Sequence, residues 1–360
     1  MNALILLLVL LALYALMAVL LRHVGLRHLT CTRAFSKPAY FEGDEGELIE
    51  IVRNDRAVII PWLRVESGFS PHIRFGRQEN LHISDTAHAC SLFTLMPYQQ
   101  IRRRHHVRFL HRGAYNLGSA SLTVGDLLGL CEAHRQQAMD VPVLVYPRLL
   151  DERAIPQSLT RLLSKIVSRR QLLHDPFLFR GIRPYQAGDP VRDIHWPATA
   201  RTGEAQLRLH DPSAQSRLLV VLNMERTDAQ WGETLMDYEQ DAIEYGISMA
   251  ATLCMQALDQ GLCVGFAANM PIGESQQSAL IAPQGGECAR EALLSAMAQL
   301  RLVRTLRFST FLAHLGAHRD LDMILLSCYD SEEIQASIRQ LRRNGNQVHL
   351  HLLKGGDFLS

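Results

Sequence analysis

The hydrophobic residues of this chain change their period part-way along, and that change limits the folds open to it. From about Phe35 to Leu130 the apolar residues come in short alternations broken by turn residues. Glu47–Arg53, Ala57–Val65, Ser91–Leu95, Ile101–Leu110, Gly113–Gly118 and Leu122–Asp126 each read as a strand. In Ile101–Leu110, Ile101, Val107 and Phe109 share one face and Arg102, Arg104 and Arg108 the other. Strands at such short spacing predict a β-sandwich of the immunoglobulin-like kind. From Ser216 onward the pattern becomes strand, helix, strand. Leu218–Leu222 is a continuous apolar run, as a strand buried on both faces requires. A helix is predicted over Tyr238–Gln260, a strand over Leu262–Phe266, and helices over Glu287–Leu300 and Thr310–Leu315. Met323–Leu326, Glu332–Arg343 and Val348–Leu352 then read as strand, helix, strand. That alternation predicts an α/β domain with a mainly parallel, doubly wound sheet.

Ahead of both regions, Ala3–Leu21 is an unbroken apolar run. At about 1.5 Å per residue it reaches roughly 28 Å, close to a hydrocarbon core of about 30 Å. The run leaves through Leu20-Leu21-Arg22-His23 with no charged leader and no small-residue cleavage site, so a retained transmembrane helix is expected rather than a signal peptide. Arg22, Arg27, Arg33 and Lys37 follow it, and the positive-inside tendency then puts the rest of the chain in the cytosol. The seven cysteines are odd in number, scattered and without C-x-x-C spacing. They suit a reducing compartment and write neither a disulfide framework nor a zinc site. A net charge of +1 gives no reason to expect a nucleic-acid partner. The expected organisation is a membrane anchor and juxtamembrane segment over 1–34 and a β-sandwich over 35–140. A linker helix and extended arms follow over 141–215, then the α/β domain over 216–360. Within the linker, Pro156–Leu173 is a basic amphipathic helix, and Val141–Tyr146 reads as a strand opening the second half.

The chemistry-bearing residues concentrate in Phe179–Asp211. Arg180, Arg183, Tyr185, Asp189, Arg192, Asp193, His195, Trp196 and Arg201 crowd into this stretch. It has three readings. His195 with Asp193 or Asp189 could be an acid–base pair, although no nucleophile accompanies it. The arginines could fork onto a phosphate or carboxylate. Alternatively, arginine and aspartate pair within adjoining arms, with Trp196 packing under a guanidinium, and the whole is a structural or interface element. The composition favours the last. Arg102-Arg-Arg-His-His106 spreads its charge over both faces of a strand, which fits a solvated sheet face, near anionic headgroups, better than base stacking. His105, His106 and His111 have no metal-ligand spacing. Glu42, Asp44, Glu45 and Glu47 lack a calcium-loop register and read as a hairpin tip.

Arg183, Tyr185, Gly188, Asp189, Arg192, Ile194, Trp196, Ala200 and Arg201 stand in the pattern R-x-Y-x-x-G-D-x-x-R-x-I-x-W-x-x-x-A-R. That pattern resembles the signature of the bacterial domain-of-unknown-function family fifty-eight, and His111–Leu130 resembles a second element of the same family. The resemblance implies a protein of the bacterial inner (cytoplasmic) membrane, crossing it once and ending in a von Willebrand factor A-like domain. It implies a MoxR-type AAA+ ATPase as partner, and a non-enzymatic adaptor or scaffold docking that ATPase or client proteins. The alternative is a sensor or binder of an anionic cell-envelope ligand through the arginine-rich signature. A von Willebrand A domain holds magnesium or manganese with D-x-S-x-S after its first strand. Here Asn223, Glu225 and Thr227 occupy those positions, and a later loop carries Ser327-Cys328 with Asp330 beyond it. Asn223 offers only a neutral carbonyl, and Glu225 reaches further than serine would. A degenerate metal site or a vestigial docking loop are the two readings, and no other cofactor and no small-molecule substrate is expected.

Overall fold

The computed structural model describes residues 29–76, 81–84, 88–126, 132–173, 179–186, 191, 194–210, 217–228 and 237–353, with scattered positions between 5 and 19. Two compact units divide the chain, Met1–Arg148 and Leu149–Ser360. Among the described residues no helix is long and apolar enough to cross a membrane. Most of the apolar run Ala3–Leu21 lies outside them.

The first unit is built of strands: β1 (Leu29–Phe35), β2 (Ala39–Phe41), β3 (Glu45–Asn54), β4 (Ile60–Gly68), β5 (Ile73–Phe75), β6 (Leu81–Ser84), β7 (His88–Leu95), β8 (Gln100–Phe109), β9 (Gly113–Asn116), β10 (Ser119–Gly125), β11 (Glu132–Ala138) and β12 (Pro142–Tyr146). They form sheets ordered β1-β3-β8-β5, β11-β10-β4-β7-β6 and β2-β12-β9. The first two are antiparallel throughout. Leu29, Cys31 and Val52 from one share a buried core with Ile60, Leu63, Val65, Phe93, Leu95, Leu122 and Val124 from the other. Strict alternation makes this possible. In β1 every second side chain is buried, so a slip of one residue would turn the apolar set out to solvent. A second core gathers Tyr40, Leu48, Ile73, Val107, Phe109, Val143 and Val145, with the Tyr40 and Phe109 rings stacked at 4.6 Å.

Three sequence expectations change here. The first sheet begins at Leu29, inside the stretch assigned to the juxtamembrane segment, because Cys31 and its neighbours alternate with the right period to pair with β3. Strand β12 does not open the second half. It pairs in parallel with β2 and antiparallel with β9, since Val143 and Val145 are needed in the core around Phe109. The acidic turn is no hairpin tip, because it joins β2 and β3, which lie in different sheets. Asp44 closes it, its Oδ2 accepting from Phe41 N at 3.0 Å.

In the second unit the predicted helix appears as α1 (Gln157–Leu173), with Leu159, Leu163 and Ile166 buried. Then come β13 (Phe179–Pro184), α2 (Trp196–Thr202) and β14 (Gln206–His210), the two strands pairing antiparallel around a bulge. The α/β part follows: β15 (Arg217–Leu222), α3 (Asp237–Asp259), β16 (Cys263–Pro271), β17 (Ser278–Gln284), α4 (Glu287–Ala298), α5 (Phe308–Leu315), β18 (Asp322–Ser327), α6 (Glu332–Arg343) and β19 (Gln347–Leu352). Its sheet runs β17-β16-β15-β18-β19. Pairs β15–β16, β15–β18 and β18–β19 are parallel, and β17 is an antiparallel edge that the sequence reading did not include. Leu219, Val221, Met323 and Leu325 pack against α5 and α6. Helix α3 meets β15, β16 and β18, and a Cβ on its Gly246 would touch Leu222 at 3.0 Å. Strand order reverses at β15, so β15 and β18 end side by side, at the switch point where sheets of this kind form a crevice.

Candidate functional site

At that switch point the chain leaves β15 into Asn223, Met224 and Glu225, all buried. Asn223 is held from three sides. Its Nδ2 donates to Ser327 Oγ at 3.0 Å, while its Oδ1 accepts from Glu225 N at 2.9 Å and Asn269 Nδ2 at 3.4 Å. Asn269, at the end of β16 and fully buried, accepts Met224 N through Oδ1 at 2.8 Å and donates to Leu306 O at 3.2 Å. Ser327 Oγ in turn donates to Tyr329 O at 2.7 Å. The Glu225 carboxylate takes Arg304 Nη1 at 3.2 Å and Phe308 N at 3.3 Å on Oε1, and the Tyr329 hydroxyl at 2.6 Å on Oε2. Burial, and then the hydrogen bond to the Glu225 carboxylate, push the Tyr329 phenol well above its usual range, so it stays a proton donor.

The structure thus brings Asn223 and Glu225 together. Thr227 is exposed, and Asp330 is held by Gln335, whose Nε2 donates to its Oδ2 at 2.8 Å. Magnesium demands near-octahedral oxygen ligands at about 2.0–2.1 Å. The oxygens of Asn223, Ser327 and Glu225 all already accept protons from neighbouring donors, so these residues do not fit a divalent cation. Asn269, Arg304 and Tyr329 were missed by sequence reasoning. Only the position of Asn269 at the end of an apolar run hinted at its role.

The signature residues are distributed differently. Arg180 lies in β13, but its side chain is outside the described residues, as are Asp189, Arg192 and Asp193 entirely. Arg183 is half-buried and donates from Nη1 to Pro184 O at 3.1 Å; Tyr185 is half-buried, and its N–H meets Ala205 O at 2.9 Å. His195 is the N-cap of α2, its Nδ1 accepting from Ala198 N at 3.0 Å, a structural duty usually given to serine or aspartate. Its backbone N–H reaches Gln206 O at 2.7 Å, and Thr199 Oγ1 accepts Gln206 N at 3.0 Å, tying α2 to β14. Trp196 is 65% exposed, Val191 64% and Ile182 41%, and Arg201 is exposed as well. Proline at the second helical position and His195 as cap fix Trp196 in the first turn of α2.

In the first unit, β8 sorts its basic run by alternation. Arg102, Arg104, His106 and Arg108 are exposed, whereas His105 is buried and Arg103 lies 3.9 Å above the Phe93 ring. His105 and His106 therefore face opposite ways and cannot share a metal. His105 joins a buried cluster with Glu50 and Arg33. Arg33, counted above among the charges flanking the anchor, is a core residue and drops out of that count. Among the described residues no group of three or more histidine, cysteine, aspartate or glutamate side chains is placed to hold a metal.

The protein is thus rich in β-strands, arranged in several sheets, with some helices. Residues 181–306, which include most of the signature and Asn223, Glu225, Asn269 and Arg304 of the strand-end site, match the model of a family described as "Protein of unknown function DUF58". The chain resembles that family in the region where the sequence pattern pointed to it. "Uncharacterized protein YeaD" of Bacillus subtilis (strain 168) is 25% identical over 158 residues, 43% of this chain and 36% of that protein. The chain thus spans about a third of the length of the curated relative it matches. Among solved structures, a non-cellulosomal cohesin from the archaeon Archaeoglobus fulgidus aligns at 8% identity, covering 31% of this chain and 91% of that one, with a TM-score of 0.21. A PapD-like domain of human CEP192 aligns at 10% identity, covering 33% and 86%, also with a TM-score of 0.21.

Proposed function

We propose that this chain is a non-enzymatic, membrane-anchored adaptor that docks a MoxR-type AAA+ ATPase, client proteins, or both. In this reading Ala3–Leu21 is the anchor in the bacterial inner membrane and the remaining chain is cytosolic. The first unit is an immunoglobulin-like sandwich, and the α/β part is a von Willebrand A-like domain whose altered strand-end loop serves as a docking rim. The observation that carries the reading is the signature arm itself. Trp196 at 65% exposed, Val191 at 64% and Ile182 at 41% offer apolar surface to water, while His195 is engaged as a helix cap. Exposed apolar groups rimmed by polar ones mark interaction sites, and tryptophan is enriched among residues that anchor them. The identity of the ATPase partner rests on the family resemblance.

The test is affinity capture of the full chain, tagged at its C-terminus, from membranes with and without ATP, read by mass spectrometry. A nucleotide-dependent AAA+ ATPase in the eluate, lost in Trp196→Ser without a change in melting, supports the adaptor. Failure of the purified chain and a MoxR-type AAA+ ATPase to associate in any nucleotide state would sink it. The second reading, an anionic-ligand binder, is favoured by the exposed Arg201 on α2, the helix bracketed by β13 and β14. It predicts that Arg201→Glu abolishes binding of an anionic envelope ligand at unchanged melting temperature.

A further inference from the structure

We infer that Arg304 is the built-in cation of the strand-end site. Its guanidinium holds the position, relative to Glu225, that a divalent ion would need, and one substitution at Arg304 would open the site to metal. Three observations meet here. The first is place: Asn223 and Ser327 close the ends of two adjacent parallel strands and are hydrogen-bonded to each other, where ligands of open α/β sheets gather. The second is charge. Glu225 is a carboxylate with its side chain 5% exposed, and the guanidinium 3.2 Å away is itself only 13% exposed. A buried carboxylate needs a positive partner, and Arg304 is the cation the structure places on it. The third is donor geometry. Arg304, Phe308 N and Tyr329 OH together cover both oxygens of Glu225. Asn223, for its part, turns an NH2 toward Ser327 where a metal ligand would turn a lone pair.

A divalent ion entering this crevice would have to displace three donors from Glu225 and sit beside a fixed positive charge. Removing the Arg304 charge eases both conditions, because it takes the guanidinium off Oε1, where Phe308 N remains, and leaves a buried carboxylate without its positive partner. Replacing Asn223 by aspartate alone should not suffice, since Arg304 then has two carboxylates to serve. The two changes together supply hard oxygen ligands without a competing charge. If the adaptor reading holds, docking at this rim is indifferent to chelators. That consequence rests on the adaptor reading, whereas metal uptake itself does not, so the experiment measures uptake.

The experiment is manganese titration of the full chain in detergent, followed by electron paramagnetic resonance, with melting curves in Mn²⁺ and in EDTA. The wild type and Asn223→Asp are expected to show no saturable uptake and coincident melting curves. Arg304→Gln and Arg304→Gln/Asn223→Asp are expected to bind one ion at least roughly tenfold more tightly than the wild type, as removal of an adjacent like charge implies, and to melt higher with it. Glutamine is chosen because it keeps an N–H donor and removes only the charge. Stoichiometric uptake by the wild type, with stabilisation lost in Asn223→Ala, would overturn the inference. So would folded Arg304 variants that bind no better than the wild type. Should the Arg304→Gln variants fail to fold, Arg304→Met, which keeps the apolar stem and removes the charge, is titrated in their place, and a folded Arg304→Met that binds manganese no better than the wild type overturns the inference equally.

Discussion

Replacing Arg33 by methionine should be among the most damaging changes the first unit can receive, and the reason lies in Glu50. That carboxylate is 0% exposed. Its Oε1 accepts Arg33 Nε at 2.8 Å and Nη2 at 2.5 Å, and its Oε2 faces His105 Nε2 at 3.2 Å. Arg33 also donates to the Ser67 hydroxyl, and its guanidinium lies 5.6 Å from the centre of the Phe69 ring. Burial alone would raise the Glu50 pKa. The hydrogen bond from His105 and the charge and hydrogen bonds of Arg33 outweigh it, and the net shift is downward from the ordinary 4.5. Removing one partner of a buried ion pair costs about 3–5 kcal/mol, because the other charge is left buried and uncompensated. At roughly 2–4 °C per kcal/mol for a unit of this size, the melting temperature should fall by about 10 °C. Replacing both partners by apolar residues should cost far less, within about 3 °C of wild type, because no charge is then stranded. The sign with pH follows from the depressed pKa. The Glu50 contribution is full above the ordinary carboxylate value and is lost as pH falls through the lower folded value. Wild type should therefore lose melting temperature below about pH 4.5 more steeply than Glu50→Gln. Differential scanning calorimetry of the full chain measures all of this. An Arg33→Met protein no less stable than the Arg33→Met/Glu50→Leu double variant would refute the reasoning.

Three further changes probe other parts of the fold. His195→Ala removes the cap of α2 and should cost about 1 kcal/mol, whereas His195→Asn should restore most of it, as urea midpoints would show. Gly265→Ala would place a Cβ 2.5 Å from Ile281 O and 2.8 Å from Pro283 N, both main-chain atoms of β17. It should destabilise by about 1–3 kcal/mol with an unchanged denaturant slope. Thiol labelling of the native protein should modify the exposed Cys288 readily. Cys254 is buried and its thiol is pushed far up by desolvation, so it should react only on unfolding, as mass mapping of labelled peptides would reveal.

Elements whose pattern is set by neighbours on the same strand or helix were legible in the sequence. The run Leu218–Leu222 and the helix Glu332–Arg343 came out where their periods put them. Strands such as β11, Glu132–Ala138, were not legible, because an edge strand of Glu, His, Arg and Gln has no apolar alternation to read. Strand β12 was legible as a strand but not as to its sheet, since partner choice depends on residues about a hundred positions away in β2. The candidate site divides the same way. Asn223 and Glu225 stood out because they end a strand. Arg304 and Tyr329 come from separate loops and acquire meaning only once β15 and β18 are adjacent. Arg33 was misread for a related reason: next to an apolar run an arginine looks like a flanking charge, and only the β1–β3 register exposes Glu50 as its partner.

Residues that look reactive in a sequence can be told from residues that are reactive by asking what already holds their lone pairs and protons. His195 Nδ1 is taken by a backbone N–H of its own helix. Both oxygens of Glu225 are taken by a guanidinium, an amide and a phenol. Asn223 is bonded to Ser327, Glu225 and Asn269. A catalytic group must instead meet its substrate with a site free to give or take a proton. The apolar side chains of the same region run the other way. Covering a side chain such as Trp196 or Val191 is worth about 1.5–3 kcal/mol, and the second unit leaves that stabilisation unused at Ile182, Val191 and Trp196. Polar groups satisfied inward and apolar groups presented outward are what a surface awaiting a macromolecular partner requires. Trp196→Ser is the substitution that should separate the proposed docking role from turnover.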